Sequence, residues 1–534
     1  MPTAASSTER WPGSGPPRRP GAAARWRAAP ADAWHAVVDA GHLVAFRAGT
    51  VRSRRVLVAL AAAFVALTAA AAVVPAWTPG AGSGEGHSLD VLLLLPTAMA
   101  GFLLLALVSA VVSGGGRELL ARDPAAVHPV SPTTDHLGAL VLAPLNIAWL
   151  LQAWTLLGST AYAVGPGRGG ADLAAAQVGM LLWLALATAL AQVVAWSLEG
   201  LRRLRGGVLA VRLLGLGVLA AGLALQATGR LVPALDRGPT VPVLGGLVGG
   251  PGSRWGLTVA GLLVATLLAV ALGAVPAHLA VRRHPRDEQG SETAHHEARP
   301  LARGPLTALV RTDRASVWRA VPMRRGLLVL AVGPGLVALL GGLRWDTMTV
   351  LPGLVASGGA LLFGVNAWCL DGRGGRWRES LPVGPATVFD ARAWVLAEFL
   401  LAASLLTTAI AAVRAGVPSA AELAAITATL AVVTVQVVAA AMRWSLAHPH
   451  AVDLRSARAT PAPPLGMVGY STRLAVSTTV TGLVFSGLSR AEGWALPVLC
   501  AVPFLAWSSW RLLRTRRRWL DPVERARVVL TVTA

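Results

Sequence analysis

Few residues in this sequence can act as nucleophile, base or metal ligand, and their spacing limits what they can do. His295 and His296 are adjacent, with no further ligand at the spacing a metal site needs. Asp123, Asp135 and His136 lie near one another, but no serine or cysteine sits in a nucleophile turn beside them. Cys369 and Cys500 fall within or at the ends of apolar runs and give neither a disulfide framework nor a metal spacing. A phosphate-cradling loop of the Gly-x4-Gly-Lys-[Ser/Thr] type needs a lysine, and all 47 basic residues are arginine. The expectation is a chain with no catalytic residue, metal or cofactor site of its own.

Polar groups inside long apolar runs are the second place to look for function, because a charge in a bilayer is costly and faces a cavity or a partner. Glu398 is the clearest case. Glu398 and Asn146 are the candidates for lining a pathway; the competing reading of Glu398 is a buried structural hydrogen bond. Arg212, Asp390 and Arg392 lie nearer the ends of their runs, where long side chains snorkel to water. Gln152, Gln192 and Asn366, like Asn146, suit hydrogen bonds between helices. Titratable groups near a membrane midplane are almost absent, which argues against a proton-coupled carrier.

The elements that must hold these residues are membrane helices. The chain is 54% hydrophobic and 14% charged, against roughly 25% charged for soluble domains, with a mean hydropathy of +0.59. This predicts an all-α polytopic membrane protein of about twelve spans, each satisfying its own backbone in lipid. The first six are 55–77, 90–112, 137–164, 172–197, 207–227 and 255–281. The second six are 326–343, 349–370, 388–413, 419–442, 472–489 and 493–511. Residues 1–34 have no apolar core and are expected to be a disordered arm; 282–305 form a polar linker and 516–534 a basic tail. Two halves result, 35–281 and 306–515.

The net charge of +21 is not read as a nucleic-acid signal, because arginine without lysine matches the coding bias of a GC-rich genome. The placement of the arginines is more informative. With both termini on the cytoplasmic side, 38 arginines fall inside and 7 outside, which favours that orientation.

Each half also carries the same phrase. Residues 128–144 read HPVSPTTDHLGALVLAP and residues 381–397 read LPVGPATVFDARAWVLA, with Pro129 and Pro382 lying 253 positions apart. Ser131 and Gly384 precede proline and stay extended, suiting them to cap a helix in which Pro132 and Pro385 take the first position. Asp135 and Asp390 come close to the positive end of the helix dipole. Upstream stand Arg117-Glu118 and Arg378-Glu379. The result is a short, stiff elbow before the third span of each half; the plainer reading is a well-capped helix entry. Leu306, Leu309, Val310, Val317 and Val321 are spaced for an amphipathic helix leading into the second half, and 35–60 lead into the first.

This layout resembles the permease of an ABC-2-type ABC exporter, over most of residues 35–515. The resemblance rests on two six-span halves, amphipathic connecting helices at 35–54 and 306–325, elbows at 115–136 and 373–387, and the Arg-Glu-x-Leu and Pro-Val-x-Pro phrases. It implies a subunit of a bacterial cell (inner) membrane that moves a substrate outward, with ATP bound not here but on a separate ATP-binding cassette subunit. Two copies of that partner would dock on the elbows, through Arg117, Glu118, Pro129 and Pro132 in the first half and Arg378, Glu379, Pro382 and Pro385 in the second. It also implies a re-entrant segment between the fifth and sixth spans, for which 231–254 are suited; the second half departs, with only a few residues between its last two spans. No residue names the cargo. Two alternatives stay open. A carrier of the major-facilitator type also has twelve spans, but its signature loop is not matched at 113–123. A non-transporting integral membrane scaffold is the other.

Overall fold

The computed structural model describes residues 34–45, 54–112, 130–145, 147–167, 170–282, 302–451, 462 and 464–533. Arg117, Glu118, Pro129 and Asn146 lie outside the described residues, as do nearly all of the N-terminal arm and most of the linker.

The described residues form helices, with no strand among them. In the first half these are α1 (34–45), α2 (Arg54–Val73), α3 (Gly86–Val112), α4 (Pro132–Leu142), α5 (Ile147–Val164), α6 (Ala171–Arg202), α7 (Gly207–Ala227), α8 (Leu231–Asp236), α9 (Thr240–Val248) and α10 (Ser253–Val281). In the second half they are α11 (Pro305–Arg319), α12 (Val321–Leu340), α13 (Trp345–Met348), α14 (Leu351–Phe363), α15 (Gly375–Glu379), α16 (Pro385–Ala412), α17 (Ala420–Ala447), α18 (Pro464–Leu488), α19 (Ala495–Leu520) and α20 (Pro522–Thr533).

Among the described residues eight helices are long and apolar enough to cross a bilayer: α3, α6, α7, α10, α12, α16, α17 and α19. The protein is a multi-pass membrane protein. The other four expected spans depart from that standard for local reasons. The first, 55–77, ends as a 3-10 turn at Val74–Trp77 opened by Pro75. The third, 137–164, is broken into α4 and α5 by a 3-10 turn at Ala143–Leu145, where Pro144 removes a ladder donor. The eighth, 349–370, is helical to Phe363 and then a 3-10 stretch, Gly364–Leu370, kinked at Asn366 (φ −147°, ψ 74°). The eleventh lies in α18, which carries Tyr470, Ser471, Arg473, Ser477, Thr478 and Thr481 along its length.

Each half buries its own core. One cluster is built from Leu95, Met99, Phe102, Leu157, Met180, Trp183 and Leu184 with Leu244 and Leu262. The other gathers Val317, Met323, Phe363, Trp368, Phe389, Val395, Leu396, Met442 and Trp519. Of the candidate spans, α6 and α17 are the most buried, and α7 has no buried residue in its apolar stretch. In the first half α2 packs on α5, α3 on α5 and α6, and α6 on α5, α7 and α10. In the second, α12 packs on α16, α14 on α16 and α17, and α17 on α16, α18 and α19. Between halves, α3 meets α12, and the Gln226 side chain donates to the Leu340 carbonyl.

Tryptophan indoles knit the first half. Trp149 donates to Thr188, Trp154 to Thr68, Trp183 to the Met99 carbonyl and Trp255 to the Ala175 carbonyl. Several of the tryptophans therefore act as interhelical donors, a role beyond the interfacial belt their number suggests. The 231–254 segment folds as α8 and α9, and Thr240, Leu244 and Leu247 of α9 are buried against the bundle. Gly179 of α6 makes room for this: a Cβ there would stand 2.1 Å from Leu247 Cδ2.

Candidate functional site

The repeated phrase forms the caps its residues dictate. Ser131 is extended (ψ 146°), its hydroxyl accepts from the Thr134 amide, and Pro132 opens α4. Gly384 is extended (ψ 137°) and Pro385 opens α16. Beyond the cap the two copies diverge. In the first, His136 is fully buried against α10, its ring hydrogen-bonded to the Val270 carbonyl at 3.1 Å, and Thr133 meets His278 at 2.9 Å. This needs a glycine opposite, because a Cβ on Gly273 would stand 2.4 Å from the imidazole. Arg203 completes this end, pairing with Glu199 and donating to the Ala280 carbonyl.

The second copy is built on charge. Arg392, one turn past Val388 in α16, is 0% exposed and donates to Asp313 of α11 at 2.9 Å and to Asp371 at 2.7 Å. Arg378 of α15 shares both acids, reaching Asp313 at 3.0 Å and pairing with Asp371. Two arginines and two aspartates thus close a charge-balanced square joining α11, α15, α16 and the turn at Asp371. Arg392 also donates to the Ala367 carbonyl and lies 5.6 Å over the Trp368 ring. That carbonyl belongs to the kinked 3-10 stretch Gly364–Leu370, whose buried backbone groups need partners from elsewhere in the protein. Ser445 of α17 serves the same end: it accepts from the Ala367 amide and donates to the Gly364 carbonyl. Asn366 donates to the His450 carbonyl. Burial, with His448 alongside, holds the His450 imidazole below its ordinary value.

Arg392 does not snorkel; its guanidinium is buried and turned to the carboxylates of Asp313 and Asp371. Asp390 forms a bidentate pair with Arg516 of α19 at 2.7 and 2.9 Å. Glu398 is held by Arg314 of α11 at 2.6 Å. The 28 residues of α16 span about 42 Å, against about 30 Å of hydrocarbon. The helix is therefore longer than an upright span needs, and its first two turns, residues 385–392, carry the square.

The C-terminal segment, expected as a basic tail from 516, is helical and part of this site. Helix α19 continues to Leu520, and Trp519 stacks on Trp368 at 3.8 Å while donating to the Pro385 carbonyl. Helix α20 then lies on the elbow with Val528 and Val532 buried. Arg525 of α20 pairs with Glu379, and Arg376 donates to Thr533. Gly375 permits the approach, because a Cβ there would stand 3.0 Å from Thr533 Cγ2. Arg378, Glu379 and Pro385 are thus brought together with residues the sequence reading did not single out: Asp313, Asp371, Trp368 and Trp519. Pro382 lies in the bend between α15 and α16. Asp313 was findable, since it falls four residues after Leu309 and four before Val317 on the apolar stripe of α11.

An open cleft of about 360 Å³ lies at the start of α11, lined by Arg303 to Thr307 and by Thr387 and Asp390 of α16. Among the described residues no three His, Cys, Asp or Glu side chains cluster as metal ligands. No family model, curated protein or solved structure matches this chain.

Proposed function

We propose that this chain is the membrane-spanning permease subunit of an ABC exporter of the ABC-2 type, moving its substrate outward with ATP hydrolysed by a separate subunit. In this reading there are twelve spans in two parallel six-helix halves, in a bacterial inner membrane with both termini cytoplasmic. The carrying observation is the square formed by Arg378, Asp313, Arg392 and Asp371. It fastens the elbow to the lead-in helix and to the third span, so a force applied at the elbow moves both as one body. The duplication draws support from packing. In each half the third span meets the first, the second and the fourth, and the fourth also meets the second, fifth and sixth.

The partner is an ATP-binding cassette subunit, with one copy engaging each elbow. The first elbow offers Arg117, Glu118, Pro129 and Pro132; the second offers Arg378, Glu379, Pro382 and Pro385. Since Arg525 covers Glu379 on one side, the second motor would meet a composite surface of α15 and α20. Glu398, bound to Arg314, serves the lead-in helix; any pathway role falls to it only if that pair opens. The test is co-purification. Glu118→Arg combined with Glu379→Arg should leave the protein inserted but abolish its recovery with an ATPase. Undiminished recovery, or ATP hydrolysis by the complex that is indifferent to this chain, overturns the reading.

A further inference from the structure

Helix α20 lies over a small cavity at the elbow. Trp368, Asp371 and Glu379 line it, and Val529, Val532 and Thr533 of α20 complete the wall. Its volume is about 10 Å³, enough for one water molecule and too little for a larger ligand. One lining residue carries a donor without a partner. Trp368 is 3% exposed, and its buried Nε1 finds no acceptor in the structure. Trp519, stacked on the same ring at 3.8 Å, does find one, donating to the Pro385 carbonyl at 2.9 Å. A buried indole N–H is ordinarily hydrogen-bonded, and an orphaned one gives up its hydration for nothing in return.

The two acids that line the same cavity have acceptor capacity to spare. Asp371 gives one carboxylate oxygen, Oδ1, to both Arg378 and Arg392, and Glu379 gives Oε2 to Arg525. The second oxygen of each accepts from no group among the described residues. The cavity therefore brings together an N–H donor and carboxylate acceptors. A cation would satisfy the acids and leave the indole unanswered; an anion would do the reverse. An occupant that both accepts and donates answers all three groups, and at this volume that occupant is water.

We propose that this cavity is a binding site for a single structural water, which accepts from the Trp368 indole and donates to the carboxylates of Asp371 and Glu379, with α20 as its stopper. One molecule then ties the kinked 3-10 stretch, the square and the elbow together. The proposal does not depend on the transport reading. The test uses the full chain in detergent and the midpoint of its thermal unfolding. Val532→Ile adds one methylene at the cavity wall. It should displace the water, strand the indole and lower the midpoint by about 2–10 °C. The same change should raise the midpoint, as filling a cavity does, once Trp368 is replaced by 3-benzothienylalanine, which keeps the shape of the ring but carries sulfur in place of the N–H. A rise with the natural indole, as a dry cavity predicts, overturns the proposal. So does an equal response in both backgrounds, the mark of simple crowding.

Discussion

Arg392 is fully buried, and two carboxylates from different elements neutralise it. Such a group is weak evidence of stability in itself, yet removing one partner strands a charge at a cost of about 3–5 kcal/mol. Asp313→Ala should therefore lower the midpoint of thermal unfolding in detergent sharply, while Glu398→Gln, at a half-exposed pair, should shift it little. Equal shifts would show that the square carries no special weight. The caps at Ser131 and Gly384 were legible in sequence because a cap is decided by three or four consecutive residues. Asp313 was half legible, as a charge on an apolar stripe. Its partners were not, since Asp313 and Arg392 are 79 residues apart and only folding brings them together.

Among the elements, α20 is the one most at odds with composition. A run rich in arginine reads as a solvated tail, but Val528 and Val532 recur at helical spacing and bury against the elbow. Deleting residues 522–534 should raise amide hydrogen exchange across 371–381, read by mass spectrometry, with the rest of α16 unchanged. No change there would mean the helix rests on the elbow without stabilising it. The breaks within 137–164 and 349–370, each expected as one continuous span, were not legible for a related reason. Hydropathy averages over a window and does not register a single Pro144 or the kink at Asn366, whose freed groups are satisfied by side chains from other helices.

Over the whole molecule, no cluster of buried apolar residues draws on both halves among the described residues. Each half then behaves as its own cooperative unit, and calorimetry should resolve two transitions. Gly273→Val, which drives a side chain into His136, should lower one of them by the few degrees that overpacking costs. Asp313→Ala should lower the other. Movement of both transitions by either variant would show that the halves melt together. The stacking of Trp368 on Trp519, with rings 4° from parallel, also makes the junction of elbow and C-terminal segment optically addressable. Two indoles at that separation couple electronically, so Trp519→Phe should remove a paired band from the near-ultraviolet circular dichroism. The amplitude of that band then reports, without any added label, whether the junction stays closed while the protein works.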